Sequence, residues 1–424
     1  MSTIRPSSPS FPRPPHGAGV DSAMGPASMA VTEAATTALG SRRIVLLSSP
    51  TVEVYRRFGY NENQIERIMR CVAQFKAEIA AGEVTNAKPP HYIDPRVLEL
   101  DCTRAASPPI NAVILPRRTL ISGLYKIFYW AVLLASKEDG REQDCFAAAL
   151  VATRPRELPD PEARFQTECA MWRHLHELNI PNIPKYFGVV SNVLFTELYD
   201  EDVFEWLLHR IKTGSPVKND EAYCRKVLCI FAQLIDAVEA LHRNRIVHRD
   251  IKTENLFIQD GEEPVIALGD FDAAECIKAE GTSTVHVGTH RCMAPETWER
   301  CHAFSVDQRS QMVSFDQLSK GEMWTVGVLI LDLLCAGQFS INCERRIYPP
   351  FSATFLDRSV LARLVNQLVF SLSQNHPTLP REISHLIKDL LDLDPSKRPS
   401  AAVTRAIVYS VYRPFASGQS SAVA

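Results

Sequence analysis

Between residues 61 and 81 the apolar side chains of Ile65, Ile68, Met69, Val72, Phe75 and Ile79 recur every three or four positions, with Glu66, Arg67, Arg70 and Lys76 off that stripe. This spacing predicts an amphipathic helix. From Thr119 the texture becomes strand-like. Residues 120–135 are dense in Ile, Leu, Tyr, Phe, Trp and Val, K-E-D-G-R at 137–141 reads as a turn, and 145–152 is a second apolar run. Together they predict a hairpin and a third strand. Helical spacing returns over 165–178, where Phe165, Cys169, Trp172 and Leu175 share a face with Glu168. Residues 186–190 and 193–198 predict two more strands, and beyond about Asp200 the pattern is helical, at 203–211 and 223–244.

The polar and turn-forming stretches divide these elements into units. Residues 1–40 are rich in Pro, Ser, Ala and Gly without a periodic apolar face, so they are expected to be a disordered tail. Residues 51–60, ending F-G-Y, predict a shorter helix and a tight turn at Gly59. Helix, F-G-Y, helix faintly resembles the start of a ubiquitin-associated domain. Pro89 and Pro90 sit where its third helix would continue, so a helical extension packed on the main domain is expected instead. Pro89, Pro90, Pro108 and Pro109 predict an irregular connection up to about Leu115. The expected division is a tail at 1–40, a helical extension and linker at 41–115, a strand-rich unit at 116–199, a helical unit at 200–414 and a second tail at 415–424.

Composition narrows the class. A formal net charge of -3 over 424 residues gives no global bias toward nucleic acid or acidic membranes. The eleven cysteines include no C-x-x-C pair, which argues against a zinc site or a disulfide framework and for reduced thiols. The longest apolar runs, 127–135 and 326–336, fall short of the roughly 18 to 20 residues of a membrane helix, and the N-terminus lacks an apolar signal core. A soluble intracellular protein, cytoplasmic or nuclear, is expected.

Candidate chemistry concentrates in I-V-H-R-D-I-K-T-E-N at 246–255, which packs His248, Arg249, Asp250, Lys252 and Asn255 between apolar runs. It is followed by G-D-F-D at 269–272, V-G-T-H-R-C-M-A-P-E at 287–296, E-M-W-T-V-G at 322–327, P-P-F at 349–351 and L-D-P-S-K-R-P at 393–399. In this order the motifs resemble a eukaryotic protein kinase over about residues 119–414. The resemblance implies an α+β, bilobal fold: a small antiparallel sheet lobe with one helix, a larger helical lobe, and here an N-terminal helical extension. It further implies ATP and Mg2+ as cofactors and a protein substrate or partner. By the family's roles, Asp250 would orient the substrate hydroxyl and accept its proton, Lys252 would steady the transferred phosphate, and Asn255 and Asp270 would hold magnesium. Arg249 would pair with a phosphorylated loop residue, for which Thr282, Ser283 and Thr284 are candidates, and His248 would be a structural hydrogen-bonder. Lys252 and Thr289 resemble the serine/threonine class. Thr196 would be the gatekeeper, Glu197 and Leu198 the adenine hinge, and Glu296 with Arg398 a structural ion pair. Glu296 and Trp324 are 28 positions apart, longer than the family's usual gap. An inserted surface loop is therefore expected at about 300–320.

Three positions depart from the family. Aligning Val132 with the valine that closes the glycine loop puts Tyr125, Ile127 and Trp130 at the glycine positions, where bulky side chains would cover the nucleotide rather than let backbone amides approach it. Ala149 takes the place of the nucleotide-gripping lysine and leaves Glu168 without its usual partner; Lys126 and Arg154 are the candidate substitutes. Asp272 replaces the glycine after Asp270 and Phe271, adding a carboxylate beside the metal site. Two functions follow: a slow protein serine/threonine kinase, or a pseudokinase acting as a scaffold or allosteric partner.

Overall fold

The computed structural model describes residues 98–100, 110–122, 126–136, 142–152, 161–190, 193–214, 220–278, 281–284, 289, 292–307, 312–339 and 357–416, with eight residues between 56 and 73 ahead of them. For the strands before residue 161 it describes the backbone alone.

An antiparallel six-stranded sheet opens the fold. Its strands are β1 (Leu98–Leu100), β2 (Ile110–Ser122), β3 (Lys126–Ser136), β4 (Glu142–Ala152), β5 (Tyr186–Val190) and β6 (Val193–Glu197), in the order β1-β2-β3-β4-β6-β5. The sheet therefore starts well before the expected boundary at 116. The connection read from Pro89, Pro90, Pro108 and Pro109 up to about Leu115 gives way to β2 already at Ile110. Pro116 falls at a register shift between Ile114 and Arg118 in the β2–β3 ladder, and an irregularity of this kind tolerates a residue without an N–H. Helix α1 (Pro161–Glu177) crosses between β4 and β5. It buries Phe165, Glu168, Cys169, Trp172 and Leu175, one face at helical spacing.

The second unit is mainly helical. Short strands β7 (Glu201–Asp202), β8 (Ile246–Val247), β9 (Leu256–Gln259), β10 (Val265–Leu268), β11 (Glu275–Cys276), β12 (Thr282–Thr284) and β13 (Met312–Ser314) lie among helices α2 (Val203–Lys212), α3 (Glu221–Arg243), α4 (Pro295–Asp307), α5 (Phe315–Leu334), α6 (Arg358–Asn375), α7 (Arg381–Leu390) and α8 (Ala401–Ala416). α3 and α5 are the central pillars, each with fourteen buried residues. Gly327 on α5 is dictated by packing, because a Cβ there would lie 2.9 Å from the Leu390 Cβ on α7. No helix among the described residues is long and apolar enough to cross a membrane.

The expected surface loop at 300–320 is corrected. α4 runs to Asp307, β13 pairs antiparallel with β12, and α5 begins at Phe315. The chain signals this locally. Ser314 caps α5 and exchanges hydrogen bonds with Gln317, a capping box spelled S-F-D-Q. Of the expected helix at 61–81, Glu62, Asn63, Ile65, Glu66, Met69, Arg70 and Ala73 are described and helical, with Ile65 buried. Residues 1–40 and P-P-F at 349–351 lie outside the described residues.

Candidate active site

α3 ends at the Asn244 cap, and the chain turns through Arg245, at φ 57°, into β8 and the polar segment. Arg249 also has a positive φ, 67°, a strained state worth on the order of 1–3 kcal/mol. The surroundings hold it there. Its N–H donates to Glu322 Oε1 at 2.5 Å, its Nε to the Ala273 carbonyl at 2.5 Å, and its Nη1 pairs with Glu275 at 2.6 Å. Burial lowers the Arg249 pKa, opposed by the carboxylates of Glu275, Glu322 and Asp272. Glu322 also pairs with His242 Nε2 at 2.7 Å.

Strain at Arg249 presents Asp250, whose two oxygens are both committed. Oδ1 accepts the Thr289 backbone N–H at 2.8 Å and the Thr289 hydroxyl at 2.7 Å. Oδ2 accepts the Lys252 ammonium at 2.7 Å and an Asn255 amide N–H at 3.1 Å. Lys252 also donates to Thr289 Oγ1 at 2.9 Å. Burial pulls the Lys252 pKa down, but the charge of Asp250 and its hydrogen bond, with Glu254 and Asp270 farther off, outweigh it and the net shift is upward. The result is a fixed proton acceptor beside a fixed cation, the pair that moving a phosphoryl group onto a hydroxyl needs.

Asn255 Nδ2 is used by the Asp250 carbonyl, at 2.8 Å, and carboxylate, so its amide oxygen is the atom suited to a cation. Asp270 sits in left-handed backbone, φ 61° and ψ 69°. Gly269 before it is pinned on both sides: its N–H donates to the Asn255 carbonyl at 2.8 Å and its own carbonyl meets His248 Nε2 at 2.9 Å. Any Cβ at 269 would come within 2.3 Å of the Phe257 ring, so the close approach requires glycine. Among the described residues no three His, Cys, Asp or Glu side chains converge on a metal site. A hard cation at Asn255 and Asp270 would take its remaining ligands from phosphate and water, as magnesium does.

Phe271 ties this region to the sheet unit. Its ring meets Trp172 edge-on at 5.0 Å and His248 at 4.8 Å, and Trp172 Nε1 donates to Glu168 Oε1 at 3.4 Å. Asp272 is not among the positive-φ residues, so the position makes no demand for glycine. Its Oδ2 pairs with Arg164 Nη2 of α1 at 3.0 Å.

The nucleotide side is built differently. Ala147, Ala148 and Ala149 on β4 stand opposite Glu197, Thr196 and Phe195 on β6, and Ala149 stands opposite Tyr129 on β3. Val132 lies opposite Phe146. Ile127 and Trp130 are inside β3; Tyr125 and Arg154 lie outside the described residues. Lys126 opens β3 opposite Ala152, three steps from Ala149. An odd number of steps puts the two positions on opposite faces of the pleat. At the hinge Thr196 is buried, and Glu197 is held by Lys185 at 3.6 Å and the Tyr199 hydroxyl at 3.3 Å. The Leu198 carbonyl accepts from Gln259 Nε2 at 3.3 Å. Burial raises the Tyr199 pKa, helped by Glu197.

Two further contacts frame the site. Ser283 is 4% exposed, takes a hydrogen bond from Arg249 Nη1 at 3.0 Å and donates to Glu275. The side chains of Thr282 and Thr284 lie outside the described residues. Arg398 forms a two-pronged pair with Glu296 at 2.6 and 2.8 Å beneath the segment. The sequence reading missed Arg164 and Glu275. Arg164 left one faint signal, a cation in the first turn of a helix, where the dipole disfavours positive charge.

Comparison with known proteins agrees with this geometry. The protein kinase domain model matches residues 137–410, beginning just after β3. Calcium-dependent protein kinase 6 of Plasmodium berghei is 28% identical over 233 residues, 53% of this chain and 13% of that protein. The serine/threonine-protein kinase ksp1 of Schizosaccharomyces pombe is 30% identical over 230 residues, 51% of this chain and 43% of that protein. A probable myosin light chain kinase of Dictyostelium discoideum is 25% identical over 250 residues, 57% of this chain and 68% of that protein. The chain thus covers less than half the length of the first two. With the family model spanning most of the chain and the motif residues assembled around Asp250, this protein belongs to the protein kinase domain family.

Proposed function

We propose that the protein is a serine/threonine kinase that transfers the ATP γ-phosphoryl group to a protein Ser or Thr hydroxyl, slowly, with Mg2+ held by Asn255 and Asp270. The observation that carries this reading is the Asp250 carboxylate held at once by Lys252, Thr289 and Asn255. Grouping charges in a partly buried site is costly without a use for them. Asp250 serves as the hydroxyl-side base, Lys252 offsets phosphate charge, and Thr289 fixes both. The nucleotide would lie against the Glu197 and Leu198 hinge and the strand carrying Val132, with Glu168 beneath. An intracellular site of action, cytoplasmic or nuclear, fits the reduced thiols of Cys224 and Cys229.

A second reading, a pseudokinase that binds partners without transferring phosphate, is favoured by Ala149. Phosphotransfer by the full chain against its Asp250→Asn variant separates the two, with a magnesium-ATP thermal shift beside it. The kinase reading expects the variant to lose about a thousandfold in transfer while keeping the thermal shift. No transfer above the variant would leave the scaffold reading.

A further inference from the structure

The family's ordinary device for fixing α1 is an ion pair between Glu168 and a lysine at position 149, where this chain has alanine. We propose that Arg164 and Asp272 form the substitute positioning pair, clamping α1 to the segment that carries Asp270. The pair joins residues 108 positions apart, across the two units, at 3.0 Å. It is partly shielded, with side chains 38% and 14% exposed. Both partners are explained by it. Asp272 stands where the family has glycine, yet its backbone has no need of one, so the carboxylate is free to serve another purpose. Arg164 places a cation in the first turn of a helix, against the dipole, and the carboxylate facing it removes that penalty.

Geometry makes the pair a clamp rather than a local ornament. Eight residues along α1, about 12 Å at the helical rise, Trp172 packs edge-on against Phe271, the neighbour of Asp272. Two ties that far apart, one charged and one aromatic, fix both the height and the rotation of α1. Glu168 lies between them, so its position over the site follows from the clamp. Arg164 and Asp272 are positioning residues and act on the nucleotide through α1.

The proposal deepens the kinase reading of this site, so its test has an arm that needs no catalysis. Amide hydrogen exchange across α1 is compared in the full chain for wild type, Arg164→Ala, Asp272→Gly and the charge swap Arg164→Asp with Asp272→Arg. Exchange in α1 is expected to quicken about two- to fivefold in each single variant, the range of a partly exposed ion pair. It returns to the wild-type rate in the swap, with α3 and α5 unchanged throughout. In the second arm, the KM for ATP rises in the single variants, kcat changes less, and the swap restores both. If α1 exchange follows this pattern and no form transfers phosphate, the clamp stands and the kinase reading falls. Equal α1 exchange in all four forms, or a swap that restores neither exchange nor KM, overturns the clamp.

Discussion

Around Asp250 each side chain of the site is fixed by several partners; on β4, the stretch that includes the place of the family's lysine is three alanines. Arg249 is kept in a strained conformation by Glu322, Glu275 and the Ala273 carbonyl, and Asp250 by Thr289, Lys252 and Asn255. On β4, by contrast, Ala147, Ala148 and Ala149 pair with β6 and bring no charge. The family match likewise begins at residue 137, past the strand pair that would close over phosphates. On the kinase reading, the two halves of phosphoryl transfer, activating the hydroxyl and gripping the nucleotide, are separable in one fold, and this chain keeps the first and alters the second. A missing lysine–phosphate contact is worth on the order of 3 kcal/mol, about a hundredfold in rate, which would slow such an enzyme without abolishing it.

The contrast can be broken from below or probed from above. The largest effect is expected from Arg398→Ala, which strands Glu296 as a buried carboxylate beneath the segment. Unfolding in urea should show a loss of about 3–5 kcal/mol, and a loss below about 1 kcal/mol would show that the lower region does not depend on this anchor. A moderate effect is expected at the seam between the regions. Asp202 caps α2 by accepting from the Glu205 N–H at 2.9 Å, and burial pushes its pKa up to about 7. A carboxyl whose folded pKa lies above its unfolded one binds more protons folded, so its contribution is best at low pH and is lost as pH rises through about 7. Asp202→Asn keeps the cap without the charge. It should stabilise the fold on the order of 2 kcal/mol at pH 8 and clearly less at pH 5; equal gains at both would show that Asp202 does not titrate in this range. The smallest effect is expected from Lys126→Ala. The register sets its position on the opposite face from Ala149, so ATP affinity should stay within about twofold. A tenfold loss by calorimetry would make Lys126 the missing cation and remove much of the contrast.

Much of the lower region was legible because its constraints are local. The run from His248 to Asn255 must place several polar groups in one turn, and the residue types announce the chemistry. Gly269 could be read as part of G-D-F-D, but the need for glycine there, set by the Phe257 ring, could not. The upper region was less legible. Pro108 and Pro109 suggested a connection up to about Leu115, whereas β2 begins at Ile110 and carries Pro116 at a register shift. The length of the gap before Trp324 suggested a loop, whereas the Ser314 and Gln317 box marked a helix start, and the β12–β13 pairing depends on residues 32 positions apart, Thr282 and Ser314. The pairs Arg164 with Asp272 and Arg249 with Glu275 bridge separate elements, so no window along the chain contains both partners.

A limit on transfer set by nucleotide grip, and by nothing in the lower region, is what the kinase reading proposes. Its most direct test is to restore the lysine: steady-state transfer with Ala149→Lys, titrated with magnesium-ATP, beside wild type and Ala149→Lys combined with Asp250→Asn. The expected kcat/KM for ATP is about a hundredfold above wild type, and the gain is lost again when Asp250 is replaced. An Ala149→Lys protein that folds and binds ATP yet transfers phosphate no faster than wild type would contradict it.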